Sequence, residues 1–336
     1  MFKKMKFVPR AGLIALVLVF LTLACGQRPE QIRKEQEQVK IRLGVLPIVD
    51  NLPFWLAQEK GYFQTADLEV ELIPFPSAVE RDSALAAHKI DGAVGDLLAV
   101  AALSDAGIPL RAISVVMGIK PGESRFAVLS APDSHIRTPE QLKDVEIAMS
   151  LNSIIEYTTD KLLGHQGLKA NEIKKVSIPK MPVRLEALLK GTVKAATLPD
   201  PLATLAVIKG AHIVADTLND NVAQTVLMVQ KDLLDKNLPA AQKLMNAYSR
   251  AVFDIQANPS GFQHILIEKA RVPEEVLTSK EHRLPVNFSA PQLPVRKDVR
   301  EVLDWMQERN LLKQSFRYED LVDEQVLKNL QPSGQG

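Results

Sequence analysis

The sequence predicts an α/β protein of two units with a helical C-terminal part, on three observations. The chain has 336 residues, which is more than one ordinary hydrophobic core organises. Between residues 41 and 216, short apolar runs typical of strands alternate with helix patterns, and the alternation restarts near residue 126. From about residue 224 onward, helix patterns dominate.

The first 24 residues have the pattern of a signal peptide. Lys3, Lys4, Lys6 and Arg10 precede an almost purely apolar run over residues 11–23. That run is too short for a comfortable transmembrane helix. Its removal changes the formal net charge from +1 to about −3. Such a balance argues against nucleic acid as a partner, because nucleic-acid binding needs a basic face.

Cys25 is the only cysteine of the chain and follows the small residue Ala24. This arrangement resembles a lipobox, although Thr22 stands where the usual residue is Leu. We therefore expect Cys25 to carry lipid, such as palmitate, and to anchor the protein to a membrane. A chance cysteine after an ordinary signal, or an uncleaved anchor, is the alternative. The polar residues 25–40 are predicted to form a tether.

The first unit is predicted to run β-α-β-α-β, which favours a parallel sheet with helices on its faces. Ser77 and Asp96 each precede a helix pattern and are candidate N-caps. The predicted strands are 41–47, 68–74, 91–95 and 111–118, and the predicted helices are 53–61, 77–88 and the segment after Asp96.

The second unit continues the alternation, and a last strand at 225–230 precedes amphipathic helices. The two units are either sequential domains, or the chain returns near 218–226 to complete the first unit. The predicted strands are 126–130, 145–150, 174–179, 193–198 and 212–216, with helices from 138, 153, 182 and 201. The apolar helical stripes are Ala241, Leu244, Met245, Tyr248, Ala251, Val252 and Ile255, then Val299, Val302, Leu303 and Met306.

Several segments in order resemble one superfamily, the solute-binding proteins for nitrate, sulfonates, taurine and thiamine-precursor pyrimidines. The opening IRLGVLP…PFWLAQEKGYFQTADLEVELIPF carries its "A…GYF" and "gLeVel" pattern. KIDGAVGD, TPEQLKDVEIAM and LEALLKGTVKAATLPDP match later segments. The matching opening positions are Ala57, Gly61, Tyr62, Phe63, Leu68, Val70 and Leu72. Lys194, Asp144 and Glu146 depart from the pattern and warn against borrowing a known ligand.

The resemblance implies a type II periplasmic-binding-protein fold with a ligand cleft between two lobes. Lobe 1 is expected over residues 41–120 plus 222–336, and lobe 2 over 121–221. The hinge is expected near Pro121-Gly122 and at residues 219–221. The implied role is a monomeric binding protein in the periplasm or on the cell surface. It delivers a small molecule to an ABC permease and its ATPase, without a cofactor.

Polar residues follow the predicted strands at the ends where α/β proteins bind ligands. Each also has a structural alternative, either an Asx turn or a helix N-cap. The resemblance implies that the loop at 150–153 and the Asp200-Pro201 segment line the cleft. The candidate ligand-binding residues are Asp50, Asn51, Ser77, Asp96, Ser150, Asn152, Ser153 and Asp200.

The cleft is thus expected to carry Asp50, Asp96 and Asp200, with no Arg or Lys assigned to it. Burying carboxylates against an anion is costly, which favours a neutral or cationic nitrogen compound such as an aminopyrimidine. An anion such as a sulfonate or nitrate is the alternative. Phe54 and Trp55 are candidates for a stacking face or for core packing.

An enzyme on the same fold is the rival class. One branch of the resembling superfamily makes the thiamine pyrimidine with a cysteine-rich motif, whereas Cys25 lies in the predicted tether. The chain has no G-x-S-x-G or H-E-x-x-H motif, and its histidines lack metal-ligand spacing. We therefore predict no catalytic residue and no metal site. A ligand-sensing partner of a membrane receptor is a further alternative.

Overall fold

The computed structural model describes Phe2 and residues 38–123, 125–219, 224–328 and 330. The described residues from Val39 onward form one compact unit. Apart from Phe2, the predicted signal peptide lies outside the described residues, as do Cys25 and the tether up to residue 37. The tether was predicted to extend to Lys40, but Val39 and Lys40 belong to the first strand.

Ten strands form among the described residues, close to the predicted bounds. They are β1 (Val39–Val45), β2 (Leu68–Pro74), β3 (Gly92–Asp96), β4 (Leu110–Met117), β5 (Phe126–Ser130), β6 (Glu146–Met149), β7 (Lys174–Ser177), β8 (Ala195–Pro199), β9 (His212–Asp216) and β10 (Thr225–Gln230).

The strands form two five-stranded sheets, in the orders β2-β1-β3-β10-β4 and β7-β6-β8-β5-β9. The chain therefore leaves the first sheet after β4, builds the second sheet, and returns at β10. We call each sheet with its packed helices the first lobe and the second lobe. The prediction of parallel sheets is wrong in part. β10 runs antiparallel to β3 and β4, and β5 runs antiparallel to β8 and β9, because both strands follow a crossing between the sheets.

The helices lie between and after the strands. They are α1 (Leu52–Glu59), α2 (Tyr62–Thr65), α3 (Ala78–Ala86), α4 (Leu97–Asp105), α5 (Ile154–His165), α6 (Met181–Leu189), α7 (Leu202–Ile208), α8 (Lys231–Ala257), α9 (Gln263–Ala270), α10 (Glu274–Thr278), α11 (Arg296–Glu308) and α12 (Tyr318–Leu321). Short 3₁₀ turns occupy Val49–Asn51, Pro139–Leu142 and Ala170–Glu172.

The long helix α8 covers the first sheet with its apolar face. Its stripe from Ala241 to Ile255 is buried against α1 and the sheet, which confirms the predicted stripe. The α11 stripe is buried as well, and α11 packs on α4 of the first lobe. Burial of these faces, rather than helix propensity, holds the C-terminal part on the first lobe.

The two lobes also contact each other through α5 and α11. Asp160 on α5 accepts hydrogen bonds from Trp305 Nε1 at 3.1 Å and from Arg309 Nη2 at 2.8 Å. The rings of Tyr157 and Trp305 meet edge to face, with centroids 5.5 Å apart. A single apolar cluster continues from the second-lobe side of this contact into the first lobe.

Candidate functional site

A small cavity lies between the lobes, at the ends of β3, β6 and β8. Its volume is about 40 Å³. We call it the central cavity. The first lobe contributes Leu46, Ile48, Ala78, Arg81, Val94, Gly95, Asp96 and Thr225, and the second lobe contributes Phe126, Ser150, Ser153, Ile154, Ile155, Pro179, Met181, Arg184 and Pro199.

Arg184 reaches this cavity from α6 of the second lobe. Its side chain is fully buried, at 0% exposure. Nη1 donates to the Ile178 carbonyl at 2.9 Å, whereas Nε and Nη2 have no hydrogen-bond partner within the part of the chain that the structure describes. Burial lowers the pKa of Arg184 to about 10, so the guanidinium stays charged at neutral pH. A buried cation with unsatisfied donors is a costly arrangement for protein groups alone.

Arg81 reaches the same cavity from α3 of the first lobe and is 2% exposed. Nη1 donates to the Val94 carbonyl at 2.9 Å, and Nε donates to Asp82 Oδ1 at 2.8 Å. Nη2 lies 2.8 Å from the same Asp82 oxygen, but not in hydrogen-bond geometry. Each lobe therefore brings one buried guanidinium with spare N–H donors to the central cavity.

Two longer helices begin at the cavity wall, α4 and α5. Ser153 caps α5 by accepting from Ile155 N at 3.3 Å, and its hydroxyl donates to the Ser150 carbonyl at 2.7 Å. Asp96 caps α4 by accepting from Ala99 N at 2.9 Å. Helix N-termini carry a partial positive charge, and at α5 this charge adds to that of the arginines.

Asp96 is the one carboxylate among the residues that line the central cavity. It is 3% exposed, and burial raises the pKa of Asp96, while Arg81 counteracts that rise. The hydrogen bond from Ala99 N and the nearby guanidinium of Arg81 compensate the negative charge of Asp96 within the protein.

Asp50 and Asp200 lie in a second, smaller cavity of about 10 Å³, which Glu123 and Arg125 also line. Asp200 is paired with Arg125, with Arg125 Nε at 2.9 Å and Nη2 at 3.1 Å from its two oxygens. Asp50 has no basic partner among the described residues, and its Oδ2 accepts no hydrogen bond from them. Burial raises the pKa of Asp50 to about 6, and the charge of Asp200 adds to the effect.

Asn51, Asn152 and Ser77 lie outside the central cavity lining. Asn51 is buried and donates from Nδ2 to the Leu46 carbonyl at 2.8 Å, which fixes the loop after β1. Asn152 is exposed, and its backbone has the left-handed φ of 55°. Ser77 is an N-cap that accepts from Glu80 N at 3.3 Å and stands beside the cavity residue Ala78.

The expectation of a cleft without basic residues is wrong, because Arg81 and Arg184 line it. A sequence signal existed for Arg184. It stands three residues after Met181 and four before Leu188, on the apolar face of α6, where a charge needs a reason. The stacking prediction for Phe54 is also wrong, since its ring is fully buried against Tyr248.

The described residues contain no helix long and apolar enough to cross a membrane. Within the same residues, no group of three or more His, Cys, Asp or Glu side chains is placed to hold a metal ion.

The model of the NMT1/THI5-like family matches residues 49–261 of the chain. The sequence matches no curated protein. Two solved binding proteins share the fold. The nitrate-binding protein NrtA of Synechocystis PCC 6803 has 15% identity and a TM-score of 0.73, with 87% of this chain and 88% of that chain covered. The aliphatic sulphonate binding protein SsuA of Escherichia coli has 19% identity and a TM-score of 0.70, with coverages of 84% and 97%.

An enzyme shares the fold as well. The desulfurization enzyme DSZB, solved with biphenyl-2-sulfinic acid, has 16% identity and a TM-score of 0.64, with 87% of this chain and 98% of that chain covered. These TM-scores show a common two-lobed fold. At such low identities they do not indicate the ligand, which has to be argued from the chemistry of the cavity. Two buried guanidiniums and a helix N-terminus bring positive charge and N–H donors to that cavity.

Proposed function

Because the chain belongs to the NMT1/THI5-like family, we propose that it is an extracytoplasmic solute-binding protein that delivers a small molecule to an ABC importer. The ligand binds in the central cavity, and the protein then docks as a monomer on the permease and its ATPase. Lobe 1 comprises residues 41–120 plus 222–336, and lobe 2 comprises 121–221. The two sheets and the cavity between them support this division.

The ligand carries a negatively charged group. The observation behind this choice is Arg184, which is fully buried at the cavity and whose nitrogen atoms Nε and Nη2 donate to no acceptor among the described residues. An anion bound between Arg184 and Arg81 supplies acceptors to both and lowers the cost of burying their charges. A charge-assisted hydrogen bond is about twice as strong as a neutral one.

An aminopyrimidine-like compound is the second candidate, and Asp96 is the feature that favours it. A buried carboxylate at the cavity wall accepts hydrogen bonds from an amine or an amidine-like ring. Such a ligand leaves the charge of Arg184 without a partner, which makes this candidate the weaker of the two.

The test is a thermal-shift screen of residues 27–336 against sulfonates, carboxylates, nitrate, taurine and aminopyrimidines. A ligand at about 100 times its Kd stabilises the protein by roughly 2.7 kcal/mol, which gives a clear shift in Tm. Shifts with anions that disappear in Arg184→Met support the anion site. Shifts with aminopyrimidines alone, lost in Asp96→Asn, reverse the choice of ligand.

The protein is not an enzyme under this proposal, and DSZB is the reason to test that point. The sequence contains neither a G-x-S-x-G motif nor a cysteine beyond Cys25. Recovery of each stabilising ligand unchanged after overnight incubation supports a binding role. Turnover of any of them overturns it. The alternative role is that of a ligand-sensing partner of a membrane receptor. A receptor gene beside the gene of this protein, in place of genes for a permease and an ATPase, would favour that role.

Lipid anchoring through Cys25 completes the proposal. An apolar signal ending in Ala24-Cys25 supports it, and the polar stretch that follows suits a tether between lipid and folded body. Cells grown with an alkyne analogue of palmitate should label the protein and hold it in the membrane fraction. Cys25→Ser should abolish the label. Equal labelling of the serine variant would contradict acylation at Cys25.

A further inference from the structure

Glu156 holds the loop that precedes α5 from inside the second lobe. It stands in the first turn of α5 and is buried. Its Oε2 accepts a hydrogen bond from Asn152 N at 2.6 Å. The left-handed φ of Asn152 costs free energy unless the surrounding contacts hold it. Because Ser150 and Ser153 of this loop line the central cavity, Glu156 helps to fix the cavity wall without lining the cavity itself.

Lys175 on β7 joins Glu156 to a second carboxylate of the same helix. Its Nζ donates to Glu156 Oε1 at 2.7 Å and to Asp160 Oδ2 at 2.8 Å. The two carboxylates are four residues apart on α5, so they share one face of the helix and repel each other unless a cation lies between them. The three side chains together carry two negative charges and one positive charge. The second lobe therefore leaves one negative charge of this group uncompensated.

The compensating charge comes from the first lobe. Arg309 directly follows α11 and donates from Nη2 to Asp160 Oδ2, the same oxygen that accepts from Lys175. None of the four side chains is more than 25% exposed, so they compensate one another's charges more than water does. We call Glu156, Lys175, Asp160 and Arg309 the interlobe charge chain.

Arg309 and Lys175 share the compensation of Asp160. While Arg309 is in place, the ammonium of Lys175 is available to Glu156. Without Arg309, Asp160 attracts that ammonium more strongly, and Glu156 loses part of its compensation. A buried carboxylate without a cation is costly. Glu156 then gains free energy by turning towards water and releasing Asn152 N.

We propose that the interlobe charge chain makes the order of the loop at 150–153 depend on the contact between the lobes. Arg309 and Lys175 are then positioning residues for the central cavity, although both lie outside its lining. The inference deepens the proposed binding function and rests on it, because this loop is part of the proposed ligand site. Close lobes and an ordered ligand loop favour each other.

The first test is hydrogen exchange at the amide of Asn152, measured by mass spectrometry on the purified full chain without ligand. Arg309→Ala should speed this exchange about fivefold, a factor typical of coupling through a network of packed and charged groups. Arg309→Lys keeps the positive charge and should restore most of the protection.

The matched control is Glu301→Ala, which removes a different ion pair between the same two helices. Lys161 Nζ on α5 lies 3.4 Å from Glu301 Oε2 on α11, and neither residue belongs to the interlobe charge chain. The control should leave the exchange at Asn152 unchanged. An equal acceleration in Glu301→Ala would show a general loosening of the helix contact and would overturn the inference, as would unchanged exchange in Arg309→Ala.

A second variant tests the route of the coupling. Lys175→Met keeps both carboxylates of α5 and removes the cation between them. Arg309→Ala should therefore add little to the exchange rate at Asn152 in that background. Equal effects of Arg309→Ala with and without Lys175 would overturn the route through Lys175. If Lys175→Met does not fold, the comparison of Arg309→Ala, Arg309→Lys and Glu301→Ala still decides the inference.

Ligand affinity separates positioning from a purely structural role. In isothermal titration with methanesulfonate, Kd should rise about fivefold in Arg309→Ala and return towards the native value in Arg309→Lys. Native affinity in Arg309→Ala despite faster exchange would overturn the positioning role. If methanesulfonate does not bind the native protein, that result counts against the proposed anion site alone, and the exchange at Asn152 still decides the dependence of the loop on Arg309.

Discussion

Arg184 combines full burial, a positive charge and incomplete hydrogen bonding. Burial and incomplete hydrogen bonding cost free energy in the folded protein, because no carboxylate of the described residues pairs with the charge of Arg184. A residue of this kind persists where it serves binding, and such sites trade stability for function. Arg184 is therefore the position at which stability and ligand affinity are expected to change in opposite directions.

Replacing Arg184 by Met keeps the length of the side chain and removes its charge. We expect the free energy of unfolding to rise by about 1–3 kcal/mol, and the affinity for the bound anion to fall about 100-fold. Urea titration and calorimetry measure the two changes. Arg300→Met, at an exposed position on α11, should alter neither. A destabilised Arg184→Met protein with full affinity would remove the basis for the anion site.

The raised pKa of Asp50 predicts that the stability of the folded protein depends on pH. Burial raises its folded-state pKa to about 6, above the ordinary value of 3.8. The folded state therefore holds a proton that the unfolded state releases, and stability falls as pH rises from about 4 to about 6. The free energy of unfolding falls by about 1.4 kcal/mol per pH unit in that window. Above the window the whole of this loss persists.

Asp50→Asn removes this contribution and leaves the other carboxyl groups in place. The unfolding free energy of the native protein should fall relative to that of Asp50→Asn by about 1 kcal/mol between pH 5 and pH 7. Urea denaturation at both pH values measures the difference. A constant difference between the two proteins across that range would show that Asp50 titrates near its ordinary pKa.

The candidate residues divide by the kind of information that predicts them. Ser153 and Asp96 are N-caps, and a cap is visible in the local sequence. Arg184 and Arg81 stand inside helix patterns on different lobes, about a hundred residues apart in the chain. Their meeting depends on how the lobes approach each other, which periodicity does not encode. Asp50 and Asp200 line a neighbouring cavity together, and the approach of the lobes that brings them there is likewise not encoded in the periodicity.

At the scale of elements, the helices and strands followed the local patterns closely, and the strand directions did not. The period of apolar residues fixes whether a segment is a helix or a strand. The direction of β5 and β10 depends on the crossings between the sheets, and nothing local in FAVLS or TVLMVQ specifies it. The resemblance, rather than the periodicity, pointed to a chain that returns to its first lobe.

The contact between α5 and α11 joins the lobes at the level of elements. Asp160 is 7% exposed in its side chain and accepts from Arg309, whose guanidinium also stacks on Trp305 at 4.3 Å. The N-terminus of the same helix α5 lines the central cavity. One rigid helix therefore contacts both the binding site and the other lobe.

A double-mutant cycle on Asp160→Ala and Arg309→Ala should give a coupling energy of about 1–2 kcal/mol, because the pair is largely buried and charge-assisted. The control is the exposed pair Lys236 and Asp232 on α8, whose Nζ and Oδ2 lie 2.8 Å apart. That pair should give less than about 0.5 kcal/mol. Equal couplings for the two pairs would mean that the α5–α11 contact adds nothing beyond a surface ion pair.

At the scale of the whole molecule, the lobes are linked by two chain crossings, after β4 and after β9. Two-lobed binding proteins with such links close by a hinge motion around their ligand. Here the electrostatics favour coupling between binding and closure. Each lobe places one buried guanidinium at the cavity, so an anion between the lobes gains charge-assisted hydrogen bonds from both when they are close together.

Anion binding should therefore shift the lobes toward a more compact arrangement, and small-angle scattering measures it as a decrease in the radius of gyration. The shift requires the anion to favour the closed arrangement, since a ligand with equal affinity for both arrangements shifts neither. In Arg184→Met the second lobe no longer supplies a guanidinium to the anion. Added anion should then change the radius of gyration of the variant little. A native protein whose scattering is identical with and without a saturating anion would separate binding from closure. It would leave the α5–α11 contact, rather than the ligand, as the interaction that holds the lobes together.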